Sequence, residues 1–211
     1  MLLTKVAESC RGEGRLHAIE YGTTSIWNGK QSFGERSLHF IDPADIVLNP
    51  YQIVINIICR TLHSRKSKKP IHVFGFGDSS TADRCVFTFL PDGRSCRGVR
   101  HVLKRYKEIT SEIVLGGPTN FAPIIYHAIR QVKASGTCQI LVIIADGHVT
   151  NVKETSHAIV EASKYALCTL PKRTFENFHF VSLNEAMSEN PNQPVSSFAT
   201  AALAHVPGST T

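Results

Sequence analysis

The sequence has little of what marks membrane, disulfide-stabilised or secreted proteins. Its longest purely apolar run, Ile140–Ala145, is far shorter than the roughly 18–20 residues that a membrane span requires. The six cysteines form no CxxC pair, so neither a disulfide framework nor a zinc site is indicated. The opening apolar stretch is too short for a secretory signal. We therefore expect a protein with reduced thiols in the cytoplasm or nucleus and no membrane span.

Low-complexity and disordered classes are excluded as well. Fourteen glycines and ten prolines in 211 residues are too few for a collagen-like or low-complexity chain. The 42% of hydrophobic and 19% of charged residues are ordinary for a folded globular protein. This length is sufficient for one domain with a sizeable core.

Positive charge is only weakly clustered. The chain has 23 basic and 17 acidic residues, a net charge of +6. One basic cluster lies between residues 60 and 69 and contains Arg60, Arg65, Lys66, Lys68 and Lys69. The cationic end of a helix that continues into a solvated loop accounts for it, and a localisation or nucleic-acid patch is the alternative. No aromatic residue interleaves the cluster, which argues against stacking on single-stranded nucleic acid.

Strand and helix signals alternate along the chain. Strand-like runs occupy residues 17–21, 71–76, 86–90, 140–145, 165–170 and 178–183. Helical spacing occupies residues 50–63, 99–109, 120–134, 152–164 and 196–204, whereas residues 22–37 are typical of a polar loop. This alternation predicts an α/β fold with a doubly wound, mostly parallel sheet.

Residues with carboxyl or hydroxyl oxygens lie in three loops that we expect to meet at one edge of this sheet. Glu20 ends the first strand, Thr119 lies in a Gly-Gly-Pro-Thr-Asn turn, and Asp146 ends the most apolar strand. Sites in such folds form at the carboxyl ends of the parallel strands. Carboxylates and hydroxyls suit Mg²⁺ or Mn²⁺ rather than a soft metal. The alternative is structural: Asp146 caps an Asp-Gly turn and Thr119 caps the next helix.

Four runs carry a family resemblance: FGFG at 74–77, LGGPTNFAPII at 115–125, LVIIADG at 141–147 and AIVEASK at 158–164. Together they resemble the copine-type von Willebrand factor A domain, and within that family the plant copine-like RING-finger ubiquitin ligases. The resemblance covers residues 17–207. It leaves an irregular segment, 1–16, before the domain and a tail, 208–211, after it.

The resemblance implies a metal-ion-dependent adhesion site, written D-x-[S/T]-x-S with a distant threonine and a distant aspartate. Thr119 and Asp146 match the distant pair, but the first motif is degraded. Glu20 replaces the aspartate, Gly22 replaces a hydroxyl residue and Thr24 replaces the last serine. The implied Mg²⁺ or Mn²⁺ ligands are thus Glu20, Thr24, Thr119 and Asp146, with water in place of the ligand lost at Gly22. The other reading is a site without any cofactor.

A partner protein would bind around the open position of that metal. The side chains implied for this contact are Thr23, Ser25, Asn120 and His148. His148 is interpreted as a loop residue and not as an acid or base, because no positioned nucleophile accompanies it. The function implied is a protein-interaction module in ubiquitination or signalling.

An enzyme is the weaker interpretation. The first enzymatic alternative is a component or truncated form of a ubiquitin ligase that needs a separate RING, since no RING ligand spacing follows the domain here. A hydrolase or nucleotide enzyme is disfavoured because the sequence has no GxxxxGK[ST], GxGxxG or GxSxG motif. No intrinsic catalytic site is predicted.

The chain also departs from the family after Lys164. A short strand at 165–170 leads almost directly to Pro171, so the fifth strand is shortened and the next helix has no residues to form it. We therefore expect the sheet face near Val142 and Ile144 to be less covered than usual, which implies lower stability or a partner.

Overall fold

The structure, a computed structural model, describes residues 2–6, 14–62, 70–137, 139–147, 149–165, 178–190 and 192–203. Six strands form one sheet: β1 (Leu2–Val6), β2 (Gly14–Glu20), β3 (His72–Phe76), β4 (Phe87–Thr88), β5 (Gln139–Ala145) and β6 (Phe178–Ser182). Seven α-helices accompany them in this part of the chain: α1 (Thr24–Ser32), α2 (Pro50–Leu62), α3 (Val99–Glu112), α4 (Ala122–Ser135), α5 (Val152–Ser163), α6 (Leu183–Glu189) and α7 (Pro194–Leu203).

The sheet is mixed but mostly parallel. Its strand order is β4-β3-β2-β5-β1-β6. β2 pairs in parallel with β3 on one side and β5 on the other. β1 is antiparallel to both β5 and β6, so β6 runs in the same direction as β5. Four strands therefore share one direction, and the predicted α/β fold is confirmed.

Helices cover both faces of the sheet. β5 is buried on both sides: Leu141 and Ile143 pack with residues of α4 and α5, whereas Val142 and Ile144 pack with residues of α2, α3 and α7. An uninterrupted apolar strand is typical of such a position. The expectation that the sheet face near Val142 and Ile144 is less covered than usual is wrong, because these side chains are only 3% and 1% exposed. Phe198 of α7 belongs to the same hydrophobic cluster and helps to cover them.

The first strand is the largest departure from the prediction. The expected irregular segment 1–16 is wrong for residues 2–6, which form β1 between β5 and β6, and for residues 14–16, which begin β2. Leu2 pairs with Ala145 on one side and Ser182 on the other. A five-residue strand whose partners lie so far along the chain has no local signal beyond its own composition. The predicted shortened strand and missing helix fall largely on residues 166–177, outside the described residues.

Two helices were not predicted. α1 lies in the segment expected to be a loop, and α6 follows β6 directly. α1 buries Ser25 and Gly29 and no large apolar residue, so it lacks apolar periodicity. At Gly29 a Cβ would collide with the backbone of Arg36 and Leu38, so the helix packs on this returning segment through its own backbone.

The remaining helices match their sequence signals closely. α2 begins with the predicted Asn49 cap: Gln52 N donates to Asn49 Oδ1 over 2.8 Å, and Asn49 N donates to Gln52 Oε1 over 2.9 Å. This reciprocal pair satisfies two N–H groups at the helix start. Asn151 Oδ1 likewise accepts from Glu154 N at the start of α5. Across the described segments, no helix combines the length and apolarity needed to cross a bilayer.

Candidate functional site at the carboxyl edge of the sheet

The loop after β2 and the turn before α4 are joined through their backbones. Gly22 forms an isolated parallel bridge with Gly116. Thr23 N donates to Gly116 O over 2.7 Å, and Gly116 N donates to Tyr21 O over 3.1 Å. Because these are main-chain bonds, the two loops keep a fixed register whatever side chains they carry.

The loop after β5 joins the same edge. Thr150 donates to the Thr119 carbonyl twice, from its backbone N over 2.9 Å and from its Oγ1 over 2.7 Å. β5 is the parallel neighbour of β2, so the residues after the two strands lie side by side. The structure thus brings the three predicted loops together at one edge.

Glu20 lies at the centre of this edge. Its Oε1 accepts a hydrogen bond from Thr119 Oγ1 over 2.6 Å, and its Oε2 accepts one from Asp146 N over 2.9 Å. The side chain is completely buried. One carboxyl group therefore links the GGPTN turn to the end of β5. We call Glu20, Gly22, Thr119 and Asp146 the edge cluster.

The edge cluster favours the neutral form of Glu20. Burial, followed by the charge of Asp146, raises the pKa of Glu20 to about 8. The hydrogen bonds from Thr119 and from the Asp146 backbone oppose this rise, and a side-chain hydrogen bond with Asp146 adds to it. Near neutral pH the Glu20 carboxyl is consequently more protonated than ionised.

The space beside Gly22 is enclosed by oxygen atoms. A Cβ on this residue would lie 2.5 Å from Glu20 Oε1, 2.9 Å from Thr119 Oγ1 and 3.3 Å from Thr24 Oγ1. Thr24 Oγ1 is buried and has no hydrogen-bond partner within the described part of the chain. Three of the four predicted ligands therefore face one point, and the fourth, Asp146, contacts Glu20.

The residues predicted to touch a partner separate into two groups. Thr23 is exposed at the edge. Ser25 is buried, and its hydroxyl donates to Gly22 O over 2.8 Å. Asn120 is buried too: its Nδ2 donates to Glu154 Oε2 over 2.7 Å, and its Oδ1 accepts from the backbone of α4. Ser25 and Asn120 thus position the loops, and His148 lies outside the described residues.

Three exposed apolar residues are close in sequence to the joined loops, and the sequence reasoning missed them. Trp27 of α1, Val114 before the GGPTN turn and Val152 at the start of α5 are 65%, 66% and 62% exposed. Trp27 is three residues from Thr24, Val114 is two from Gly116, and Val152 is two from Thr150, all of which belong to the joined loops. The signal in the sequence was a tryptophan in a largely polar segment. Such a segment has no apolar face through which the tryptophan side chain could pack into a core.

A second buried polar cluster lies under the edge, on the side of the sheet that α2 and α3 cover. We call it the aromatic cluster, and its members are Tyr21, His39, Tyr51 and Tyr106. The His39 ring stacks on Tyr51 with centroids 3.9 Å apart, and its Nδ1 shares a 2.8 Å hydrogen bond with Tyr106 Oη. Burial, with the nearby charges of Glu20 and Asp146, raises the pKa of Tyr51 well above its usual value.

The donor set does not fit the divalent ion that the resemblance implies. Mg²⁺ demands near-octahedral oxygens at about 2.0–2.1 Å. Both Glu20 oxygens accept hydrogen bonds within the protein, and residue 22 has no side chain to offer.

Comparison with known proteins supplies the family context. The copine family model matches residues 37–170. Copine family protein 1 of Caenorhabditis elegans is 40% identical over 84% of this chain and 18% of its own length. The E3 ubiquitin-protein ligases RGLG1 and RGLG2 of Arabidopsis thaliana are each 39% identical over 90% of this chain, and over 45% and 47% of their own lengths. The chain spans less than half the length of these relatives.

Proposed function

Because this chain belongs to the copine family, we propose that it is a protein-interaction module which binds a partner protein at the carboxyl edge of its sheet. Relatives named E3 ubiquitin-protein ligases support a role in ubiquitination, with signalling as the wider setting. We place this role in the cytoplasm or nucleus.

The observation that carries the proposal is three exposed apolar residues next to the joined loops, Trp27, Val114 and Val152, which we call the apolar rim. Single exposed apolar residues are normal on a protein surface. Here Trp27, Val114 and Val152 follow or precede three loops that main-chain and side-chain hydrogen bonds join into one edge. Tryptophan is enriched among the residues that dominate binding energy at interfaces. Rigid loops with an apolar rim suit a partner that docks without rearrangement of this domain.

Helix α5 offers a matched pair of variants to test this surface. Val152 and Val160 are the same residue on the same helix, 62% and 60% exposed, but only Val152 adjoins the edge. We expect Val152→Asp to abolish partner binding, because an aspartate would be desolvated in an apolar contact. Val160→Asp is expected to leave binding intact.

Proximity labelling in cells measures this difference. A labelling enzyme attached after residue 211 reports the proteins that surround the parent chain, Val152→Asp, Trp27→Ala and Val160→Asp. The proposal requires that the first two variants lose one common set of labelled proteins, which includes ubiquitin-pathway members, and that Val160→Asp retains it. Equal labelling by all four proteins would contradict an edge interface.

A component of a ubiquitin ligase is the second candidate, favoured by the ligase relatives of which this chain spans under half. The chain mixed with ubiquitin-activating and ubiquitin-conjugating enzymes alone is expected to form no conjugates. A separate RING fragment added to the mixture is expected to modify proteins that the chain binds. Conjugation without the RING fragment would refute this candidate and reveal an intrinsic activity.

A further inference from the structure

We propose that the Glu20 carboxyl occupies the place of the side chain that residue 22 lacks, so that a carboxyl group and not a divalent metal holds the edge cluster together. The inference concerns this chain's own residues and stands whichever protein binds at the edge. It rests on the geometry around Gly22.

A side chain at position 22 would displace the Glu20 carboxyl from its present position. A Cβ on Gly22 would approach Glu20 Oε1 to 2.5 Å, well inside the contact distance of a carbon and an oxygen. Glu20 is also one methylene longer than the aspartate that the adhesion motif requires. The two departures from that motif are therefore one change: the longer acid extends into the volume that the missing side chain leaves.

The extended carboxyl makes the connections that a bridging ion would otherwise provide. Its Oε1 receives the Thr119 hydroxyl and its Oε2 receives the Asp146 backbone N–H. These two bonds join the GGPTN turn to the end of β5 through the end of β2. A buried carboxyl is costly unless it is hydrogen-bonded, paired or neutral.

The Thr24 hydroxyl faces the same volume beside Gly22 but forms no hydrogen bond with Glu20. Its Oγ1 lies 3.3 Å from the same Cβ position but has no hydrogen-bond partner in the described part of the chain. Glu20 has taken the Thr119 hydroxyl instead. A hydroxyl that is buried without a partner is unfavourable. Thr24 is therefore the residue whose hydroxyl oxygen a restored metal site would use as a ligand.

Restoring both motif residues tests the inference by gain of function. Glu20→Asp withdraws the carboxyl by one methylene, and Gly22→Ser places a hydroxyl in the vacated volume. Gly22 is not among the glycines with positive φ, so serine fits its backbone. We expect the E20D/G22S protein to bind Mn²⁺ and Mg²⁺ with one site by calorimetric titration. The triple variant E20D/G22S/D146A is expected to lose this binding.

A second measurement begins with the parent chain and uses Asp146→Ala as its control. A ligand that binds the native state raises the melting temperature. We expect Mn²⁺ at about 10 mM, ten times a Kd of about 1 mM, to leave the melting temperature of the parent the same as in EDTA. A rise that Asp146→Ala abolishes would overturn the proposal. A folded double variant that binds no Mn²⁺ would overturn it also, since Glu20 would then not be what excludes the metal.

Discussion

Glu20 and Tyr21 are neighbours in the chain, yet they belong to two buried polar clusters of opposite character. The edge cluster consists of short side chains on loops, and main-chain bonds fix its geometry. The aromatic cluster consists of rings held by α2, α3 and the segment around His39, and stacking fixes its geometry. Burial suppresses charge in both, but it does so on an acid in one cluster and on a base in the other.

The two clusters therefore respond to pH with opposite signs. Burial raises the pKa of Glu20 to about 8 and lowers the pKa of His39 to about 3. Above the ordinary glutamate pKa, Glu20 stays protonated in the native state but ionises in the unfolded chain. Below the ordinary histidine pKa, His39 stays neutral in the native state but becomes protonated in the unfolded chain. The comparison teaches that one physical cause, burial, lowers stability toward alkaline pH through Glu20 and toward acid pH through His39.

The largest effect is expected in the aromatic cluster. Tyr106 is fully buried, stacks near Tyr21 and Tyr51, and hydrogen-bonds to His39 and Asn49. Tyr106→Ala should lower the free energy of unfolding by about 3–5 kcal/mol, because it removes a large ring from a packed core. Denaturant titration measures this loss. Tyr126→Ala is the control on a half-buried tyrosine, and an equal loss there would show that the cluster adds nothing to ordinary burial.

The acid side of the comparison depends on His39. Because burial lowers its pKa, the stability that this group contributes is present above the unfolded pKa of about 6.5 and is lost as the pH falls toward about 3. The slope is at most about 1.4 kcal/mol per pH unit. In His39→Phe, thermal unfolding between about pH 6 and pH 4 should lose this slope. An unchanged acid slope would mean that His39 is solvated in the native state.

The alkaline side depends on Glu20. Since burial raises its pKa, the contribution of this group is fully present below the unfolded pKa of about 4.5 and is lost as the pH rises through about 8. Glu20→Gln removes the titrating group, so stability should decline less in this range than it does in the parent. Melting temperatures across the range measure the difference. A steeper decline in Glu20→Gln than in the parent would reverse the assigned sign.

The smallest expected effect separates two glycines of the edge. Gly22→Ala should cost about 1–3 kcal/mol, because its Cβ would meet the Glu20 and Thr119 oxygens. Gly117 is the matched control: a Cβ there would meet only Thr23 Oγ1, at 3.9 Å. Gly117→Ala should stay within about 0.5 kcal/mol of the parent. Equal costs measured in denaturant would show that the volume beside Gly22 is not filled as described.

The sequence was sufficient where a strong local pattern coincided with a buried strand. The ILVIIA run predicted β5, and the carboxyl ends of parallel strands predicted that Glu20, Thr119 and Asp146 would lie near one another. Roles for these residues in metal or partner binding stay predictions.

What the sequence could not reveal depends on contacts between distant segments. The apolar pattern of the sequence does not indicate α1, because this helix packs through the backbone of Gly29 and not through large apolar side chains. β1 is absent because its partners are β5 and β6. The overlap between the Glu20 carboxyl and a side chain at position 22 is also three-dimensional, since spacing alone shows a lost ligand and not the group that fills its volume.

The direction of β1 bears on how this domain is handled. Leu2 pairs with Ala145 and Ser182, at the end of the sheet that carries the edge cluster, whereas Val6 pairs with Leu141 and Phe178 at the other end of those ladders. Any polypeptide joined ahead of Leu2 would therefore start from the end of the sheet that carries the edge cluster. An amino-terminal affinity tag would start close to the edge cluster and would compete with a partner protein there, so immobilisation is better done through the carboxyl terminus.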